Sequence, residues 1–300
     1  MDRRRFLGLA PAALAAAAAN VPAQSKPSKR GVLARGNEAL PVIGMGTWLT
    51  FDIGDDEAER MGRRLVLERF FAAGGGMIDS SPMYGRAEAR LGELLASLPH
   101  ESSLFAATKV WTPFDQLGPR QIEKSQKLWG VPRFDAVLVH NLLDWPAHLK
   151  MLRQRKDEGR VRYIGVSTSH GSRHDEAERV IRNEALDVLQ ITYNLSDTRA
   201  EPLMDLAAER GVAVVINRPF DGGGLFSRVG KRPLPAWAGE IDCANWAQFF
   251  LKWVVAHPAV TCAIPATRNP AHMDENMGAR IGPMPDAALR ARMRSYIGRL

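Results

Sequence analysis

A chain of 300 residues, 45% of them apolar, can bury one large core, which excludes intrinsic disorder as the starting expectation. The formal charge of +7 is unevenly placed: residues 1–30 carry Arg3, Arg4, Arg5, Lys26, Lys29 and Arg30 against Asp2, leaving only +2 for the remainder, so no folded basic face for nucleic acid is implied. Two cysteines, Cys243 and Cys262, are too few for a disulfide framework and lack zinc-site spacing; both read as small packing residues.

The chain opens on Asp2-Arg3-Arg4-Arg5-Phe6-Leu7, continues through an Ala-rich apolar run to Ala19, and reaches Val21-Pro22-Ala23, small residues suited to cleavage after Ala23. The run is shorter than the roughly 20 residues that span a bilayer, so no stable membrane anchor remains after cleavage. The paired arginines ahead of Phe-Leu resemble a bacterial twin-arginine (Tat) export signal, whose machinery carries folded proteins to the periplasm. An ordinary secretory signal or a fortuitous Arg-Ala tail is the alternative. Residues 1–30 are thus read as signal and linker, and 31–300 as a single domain.

Beyond Asn37–Pro41, the stretch Val42-Ile43-Gly44-Met45-Gly46-Thr47-Trp48 predicts a short strand, and a helix over 55–73 closes at Gly74-Gly75-Gly76. Further strands are predicted over 77–79, 104–108, 135–139, 161–166, 188–191, 212–216 and 260–264. Helices are predicted over 86–97, 116–129, 149–158, 173–182, 200–210 and 244–256, with a last one from near Pro270 and a C-terminal segment over 285–300. The Gly/Pro-rich connection from Phe220 to Asp242 is longer than compact domains tolerate unless it is functional. Eight alternating strand and helix pairs imply parallel pairing and closure into an α/β fold of the (β/α)8 TIM-barrel type. An open doubly wound sheet would normally bring Gly-x-Gly-x-x-Gly after its first strand; Gly44-Met45-Gly46, followed by Thr47-Trp48-Leu49, lacks the third glycine.

In a barrel, the C-terminal strand ends form one mouth. Asp79 and Tyr84 follow the second strand, Lys109 the third and His140 the fourth. Each alone has a mundane reading: a capped turn, an amphipathic packing residue, a surface lysine or a structural histidine. Four titratable groups at corresponding positions point instead to a site.

The motifs Leu40–Trp48, Ile78-Asp79-Ser80-Ser81-Pro82-Met83-Tyr84-Gly85, Thr108-Lys109-Val110-Trp111, Val139-His140-Asn141, Ile164-Gly165-Val166-Ser167 and Ile264-Pro265-Ala266-Thr267 occur in this order at strand ends. Together they resemble the aldo/keto reductase superfamily. The resemblance implies a catalytic tetrad of Tyr84, Lys109, Asp79 and His140 and a nicotinamide cofactor. Hydride delivery to a carbonyl carbon builds charge on oxygen, which Tyr84 would protonate. A phenol titrates at about 10 and Lys109 is expected to bring that down, with Asp79 holding Lys109 and His140 orienting the carbonyl oxygen.

The same resemblance places Ser167 and Gln190 at the nicotinamide carboxamide, with Thr168 where many members carry Asn. Asn217, followed by Arg218, stands where an aromatic commonly stacks on the nicotinamide. Ala266, Thr267, Arg268, Glu275 and Asn276 are assigned to the adenosine end, Ala266 and His272 replacing a basic pair of many relatives. Arg268 beside a helix start favours NADP(H) over NAD(H).

Trp48, Trp111 and Phe220 are expected to line a pocket for a small-molecule carbonyl substrate, though such aromatics also serve as core packing. No metal is expected. Two other readings stay open: a nucleotide-binding barrel with a regulatory or sensing role, and a metal-dependent hydrolase using His140, His170, His174 and Asp79. Tat export would carry a cofactor bound before transport.

Overall fold

The computed structural model describes residues 30–33, 38–98 and 103–300. The signal assigned to residues 1–30, with its cleavage after Ala23, lies outside the described residues except for Arg30, which opens the first strand. That strand, β1 (Arg30–Leu33), pairs antiparallel with β2 (Glu38–Pro41) in a hairpin the sequence did not announce.

Eight parallel strands follow: β3 (Met45–Gly46), β4 (Met77–Asp79), β5 (Phe105–Val110), β6 (Phe134–His140), β7 (Val161–Ser167), β8 (Val188–Thr192), β9 (Ala213–Asn217) and β10 (Val260–Ala263). Each pairs with its sequence neighbour, and the ring closes where Ile43 bridges Ala263 and Gly46 bridges Ala266. Bonds from Gly44 N to Ala263 O (2.8 Å) and Ala263 N to Val42 O (2.9 Å) complete the seam. The first barrel strand, β3, and the residue leading into it are squeezed between two neighbours: a Cβ on Gly44 would lie 2.8 Å from Met77 O, and one on Gly46 2.9 Å from Ile264 O. The (β/α)8 expectation is borne out.

The helices on the outside are α1 (Glu57–Ala72), α2 (Ala87–Leu95), α3 (Gly118–Trp129), α4 (Trp145–Asp157), α5 (His174–Asn183), α6 (Glu201–Glu209), α7 (Gly224–Val229), α8 (Trp246–Val255), α9 (Pro270–Gly278) and α10 (Ala287–Gly298). Side-chain caps at Asp56, Asn245 and Asp286 satisfy first-turn amides of α1, α8 and α10. Helix α4 starts earlier than the predicted 149 because Pro146 is tolerated in a first turn. The Phe220–Asp242 connection is not structureless: it holds α7 and two 3-10 turns, which its five glycines had hidden.

Side chains alternate across each strand. Val137, Val139, Ile164, Val166, Leu189, Ile191, Val214 and Ile216 belong to the core shared with the helices. Met77, Phe105, Ala107, Ala136, Leu138, Tyr163, Val188, Ala213, Val215, Cys262 and Ile264 form a separate cluster, joined by Leu33 and Leu40 of the hairpin. This second cluster is the barrel interior, and the hairpin plugs it. Continuing the same alternation one step toward the C-terminal ends gives Asp79, Lys109, His140, Ser167, Gln190 and Asn217. Strand pairing sets His140 opposite Ser167 and Ser167 opposite Gln190. The polar site is thus the top layer of an otherwise apolar interior.

Candidate active site

Five consecutive strands, β4 to β8, supply the centre through Asp79, Lys109, His140, Ser167 and Gln190. Lys109 is completely buried, and its ammonium donates to Asp79 Oδ2 (2.6 Å) and to the Ser80 carbonyl (2.8 Å). Gln190 Nε2 donates to the other carboxylate oxygen of Asp79 at 2.8 Å. Asp79 therefore has a cation on one oxygen and an amide on the other. From the first strand, the Thr47 hydroxyl reaches the Asp79 carbonyl (3.0 Å) and Ser80 Oγ (2.8 Å), fixing the turn that leaves β4.

That turn carries Tyr84. Its amide bonds back to Ser81 O (3.0 Å), and Gly85 follows at φ +59°, a left-handed conformation suited to glycine. The Asp52 carboxylate accepts from Arg86 N (2.9 Å) and occupies the space a Gly85 side chain would need, 2.3 Å from an ideal Cβ. The half-buried phenol ring comes to rest with Lys109 Nζ 5.2 Å from its centroid and the His140 ring edge-on at 6.1 Å. Deeper in, the buried Glu88 carboxylate accepts from Thr108 Oγ1 (2.6 Å), Ser125 Oγ (2.6 Å) and Trp129 Nε1 (3.1 Å), bracing α2 and α3 against the strand that carries Lys109. Burial pushes this carboxyl above its usual range despite the three donors.

The electrostatics correct one expectation. Tyr84 titrates above an ordinary phenol, not below it, because burial outweighs the downward pull of Lys109. Burial acts downward on Lys109, yet the charges of Asp79 and Tyr84 prevail and raise it, so the ammonium form is held. His140 is driven down to about 3, by burial first and Lys109 second, and is neutral at working pH. Its Nδ1 lies 2.8 Å from Ser167 Oγ.

Above these groups opens a cavity of about 480 Å³, lined by Trp48, Tyr84, His140, Gln190, Asn217 and Arg218 among others. Six non-glycine residues in the loops after β3, β6 and β9 have left-handed backbones, Leu49, Asn141, Leu142, Asp144, Arg218 and Asp221, and three of them, Leu49, Asn141 and Arg218, line the cavity. Such conformations collect at functional sites because the surrounding structure must hold them.

The other residues read from the sequence are placed as follows. Trp48 and Phe220 line the cavity; Trp111 does not, being exposed with its backbone clamped by Gln121 through Oε1 (2.6 Å) and Nε2 (2.9 Å). Thr168 is buried and its hydroxyl has no partner among the described residues. The Asn217 amide is used at both ends, donating to Thr168 O (2.8 Å) and accepting from Thr192 Oγ1 (2.6 Å). Ala266 lines the cavity, Thr267 accepts from Asn269 N (3.1 Å), Asn276 is buried, Glu275 is half-buried and Arg268 is exposed just before α9.

Residues that the sequence reading left aside also meet here. Asn141 Oδ1 accepts from both Ser169 N (3.1 Å) and Ser169 Oγ (3.0 Å), tying two rim loops together, and Met83 and Leu49 add apolar lining beside Phe226, which the long connection had offered as a further aromatic wall. The signal available for them was position alone, just past a strand end or in the long connection. Among the described residues, no three His, Cys, Asp or Glu side chains gather to hold a metal; His170 instead pairs with Ser172 Oγ at 2.6 Å. Both cysteines are buried, and burial lifts their thiols to about 11 for Cys243 and about 12 for Cys262.

Barrel and site together define an α/β-barrel protein of oxidoreductase type, with a tyrosine, lysine, aspartate and histidine cluster at the strand C-termini. The aldo/keto reductase family model matches residues 42–291, and the chain belongs to that family. It is 25% identical to pyridoxine 4-dehydrogenase of Escherichia coli over 71% of this chain and 79% of that protein. It is likewise 25% identical to the NADP(+) aldo-keto reductase yakc of Schizosaccharomyces pombe, over 85% and 88%. Among solved structures, an aldo/keto reductase from Klebsiella pneumoniae in complex with NADP and acetate superposes with a TM-score of 0.73 at 22% identity, covering 90% of this chain and 95% of that one. A Bombyx mori aldo-keto reductase in complex with NADP gives 0.69 at 20% identity, over 89% and 92%.

Proposed function

We propose that this protein reduces an aldehyde or ketone to an alcohol with NADPH, Tyr84 supplying the proton. The observation that carries the reading is the buried Lys109–Asp79 pair, 2.6 Å apart, set beneath the Tyr84 ring at the floor of the cavity. A lysine buried this deeply persists as a cation only with such a partner. Its field favours the tyrosinate that forms when the phenol gives up its proton.

The residues present fit a nicotinamide cofactor: the Thr168 hydroxyl is buried and unpartnered beside Ser167, and Gln190 reaches the cavity wall. Ser167, Thr168 and Gln190 would hold the carboxamide, Asn217, Arg218 and the glycines after Phe220 would line the middle, and Ala266, Thr267, Arg268, Glu275 and Asn276 would meet the adenosine end. Arg268 favours NADP over NAD. When bound, the cofactor supplies the hydride. His140, neutral, donates a hydrogen bond to the substrate oxygen and orients it; Tyr84 donates its proton to that oxygen as the alcohol forms; Asp79 keeps Lys109 charged and in place. Trp48 and Phe220 give an apolar wall for the substrate.

The Klebsiella and Bombyx proteins, solved with NADP, and the fission-yeast relative named for NADP(+) support the cofactor class. The test is equilibrium binding of NADPH and NADH followed by turnover on a panel of aldehydes and ketones. Tighter NADPH binding with carbonyl-dependent oxidation is expected; binding without turnover on any carbonyl would favour a sensing role instead. Export is part of the proposal, on the strength of Arg3-Arg4-Arg5-Phe6-Leu7. Fractionation of cells should find the protein in the periplasm with NADP(H) bound, and Arg4→Lys with Arg5→Lys should retain it in the cytoplasm.

A further inference from the structure

The His140 ring has two nitrogens in different surroundings. Nδ1 faces Ser167 Oγ at 2.8 Å, and Nε2 has no hydrogen-bond partner among the described residues, in a side chain that lines the cavity. Either nitrogen could carry the proton of a neutral imidazole, and only one arrangement leaves a donor for a substrate oxygen.

Accounting for the serine hydroxyl decides between them. Ser167 is completely buried at the end of β7, and His140 Nδ1 is its hydroxyl's partner among the described residues. A hydroxyl has one proton to place and two lone pairs to offer. If Nδ1–H donated to Ser167, the proton of this completely buried serine would be left without an acceptor among the described residues, at a cost buried polar groups rarely bear. If Ser167 donates to Nδ1, every proton is placed and Nε2 carries the N–H. Strand pairing makes the arrangement durable, since His140 and Ser167 lie opposite each other in the β6–β7 ladder.

We propose that Ser167 is a positioning residue that fixes His140 in the Nε2–H tautomer, so that the histidine presents a donor to the substrate oxygen. The proposal rests on the carbonyl-reduction reading for its consequence, but not for the tautomer, which is a property of the ligand-free protein. It also limits Ser167 toward any ligand: with its proton committed to His140, the hydroxyl can accept from an N–H but has no proton to donate.

The test is long-range 15N–1H correlation on 15N-histidine-labelled protein, which distinguishes a pyridine-type from a pyrrole-type ring nitrogen. Seven histidines are present, and His140→Gln assigns the signal. The expected result is a pyridine-type Nδ1 and a pyrrole-type Nε2 near pH 7. Ser167→Ala should mix or reverse the two forms, and Ser167→Thr, which keeps the hydroxyl, should restore them. In turnover, Ser167→Ala should lose roughly 10-fold in kcat, the size of one hydrogen bond, while His140→Gln gains no further loss from it. An Nδ1–H or imidazolium ring in the wild type, or a tautomer unchanged in Ser167→Ala, would overturn the assignment. A correct tautomer in a protein that reduces no carbonyl would instead sink the functional reading alone.

Discussion

The two ends of the barrel interior are built from the same strands yet obey different rules. At the lower end Met77, Phe105, Leu138, Tyr163 and Val215 pack with Leu33 and Leu40 of the hairpin into an apolar plug. One alternation further up, those strands present Asp79, Lys109, His140, Ser167 and Gln190, joined by hydrogen bonds and an ion pair. The lower layer gains stability from burying surface. The upper layer gives up that gain and links its buried groups by hydrogen bonds and an ion pair, which holds them at fixed spacing and leaves His140 Nε2 unpartnered among the described residues, in a side chain that lines the cavity. Function here occupies a layer of a core, not a separate domain.

The sharpest way to test this division is to turn the upper layer into a copy of the lower. Lys109→Met should cut turnover on the order of 10² to 10⁴-fold and destabilise by roughly 3–5 kcal/mol, because Asp79 is left buried without its cation. Adding Asp79→Leu should recover most of that stability and none of the activity, as denaturant unfolding and NADPH oxidation would record. A double variant as unstable as the single one would contradict the layer picture.

The reverse experiment strikes the plug. Leu40→Ala, at 4% exposure, should cost about 2–5 kcal/mol in unfolding free energy while leaving kcat per folded molecule unchanged. A parallel fall in kcat would mean the two layers are coupled.

Acid should also separate them. His140 titrates at about 3 when folded against an ordinary 6.5. Between those values the unfolded chain binds the extra proton, so this group's contribution is present above pH 6.5 and is lost as pH falls toward 3, by on the order of a few kcal/mol. Unfolding curves against pH should show that slope, and His140→Gln should flatten it. A smaller effect is expected from Gly85→Ala, about 1–2 kcal/mol from the left-handed backbone, together with a drop in kcat as the Tyr84 turn shifts against Asp52.

Much of this was legible in the chain. Short apolar runs such as Val137-Leu138-Val139, each followed by a helical period, carry the barrel because parallel strands buried on both faces tolerate little else. Titratable residues directly after those runs, Asp79, Lys109 and His140, mark the mouth for the same reason: a charge rarely follows buried apolar residues without a task. What was hidden depends on tertiary surroundings. Arg-Gly-Val-Leu and Glu-Ala-Leu-Pro carry too little alternation to reveal a plug. The upward shift of Tyr84 comes from burial, which no local pattern states. Trp111, expected as a wall of the pocket, is exposed and not among the residues lining the cavity, its backbone held by Gln121. Ser167 could be placed at a strand end, but its bond to His140 depends on the β6–β7 register.

Tyr84 as proton donor is tested with the least disturbance by Tyr84→Phe, since the ring remains and one hydroxyl goes. NADPH binding and turnover of a carbonyl substrate should be measured in the same preparation. NADPH affinity close to wild type is expected, with turnover reduced on the order of 10² to 10⁴-fold. Turnover equal to wild type in a protein that binds NADPH normally would contradict it.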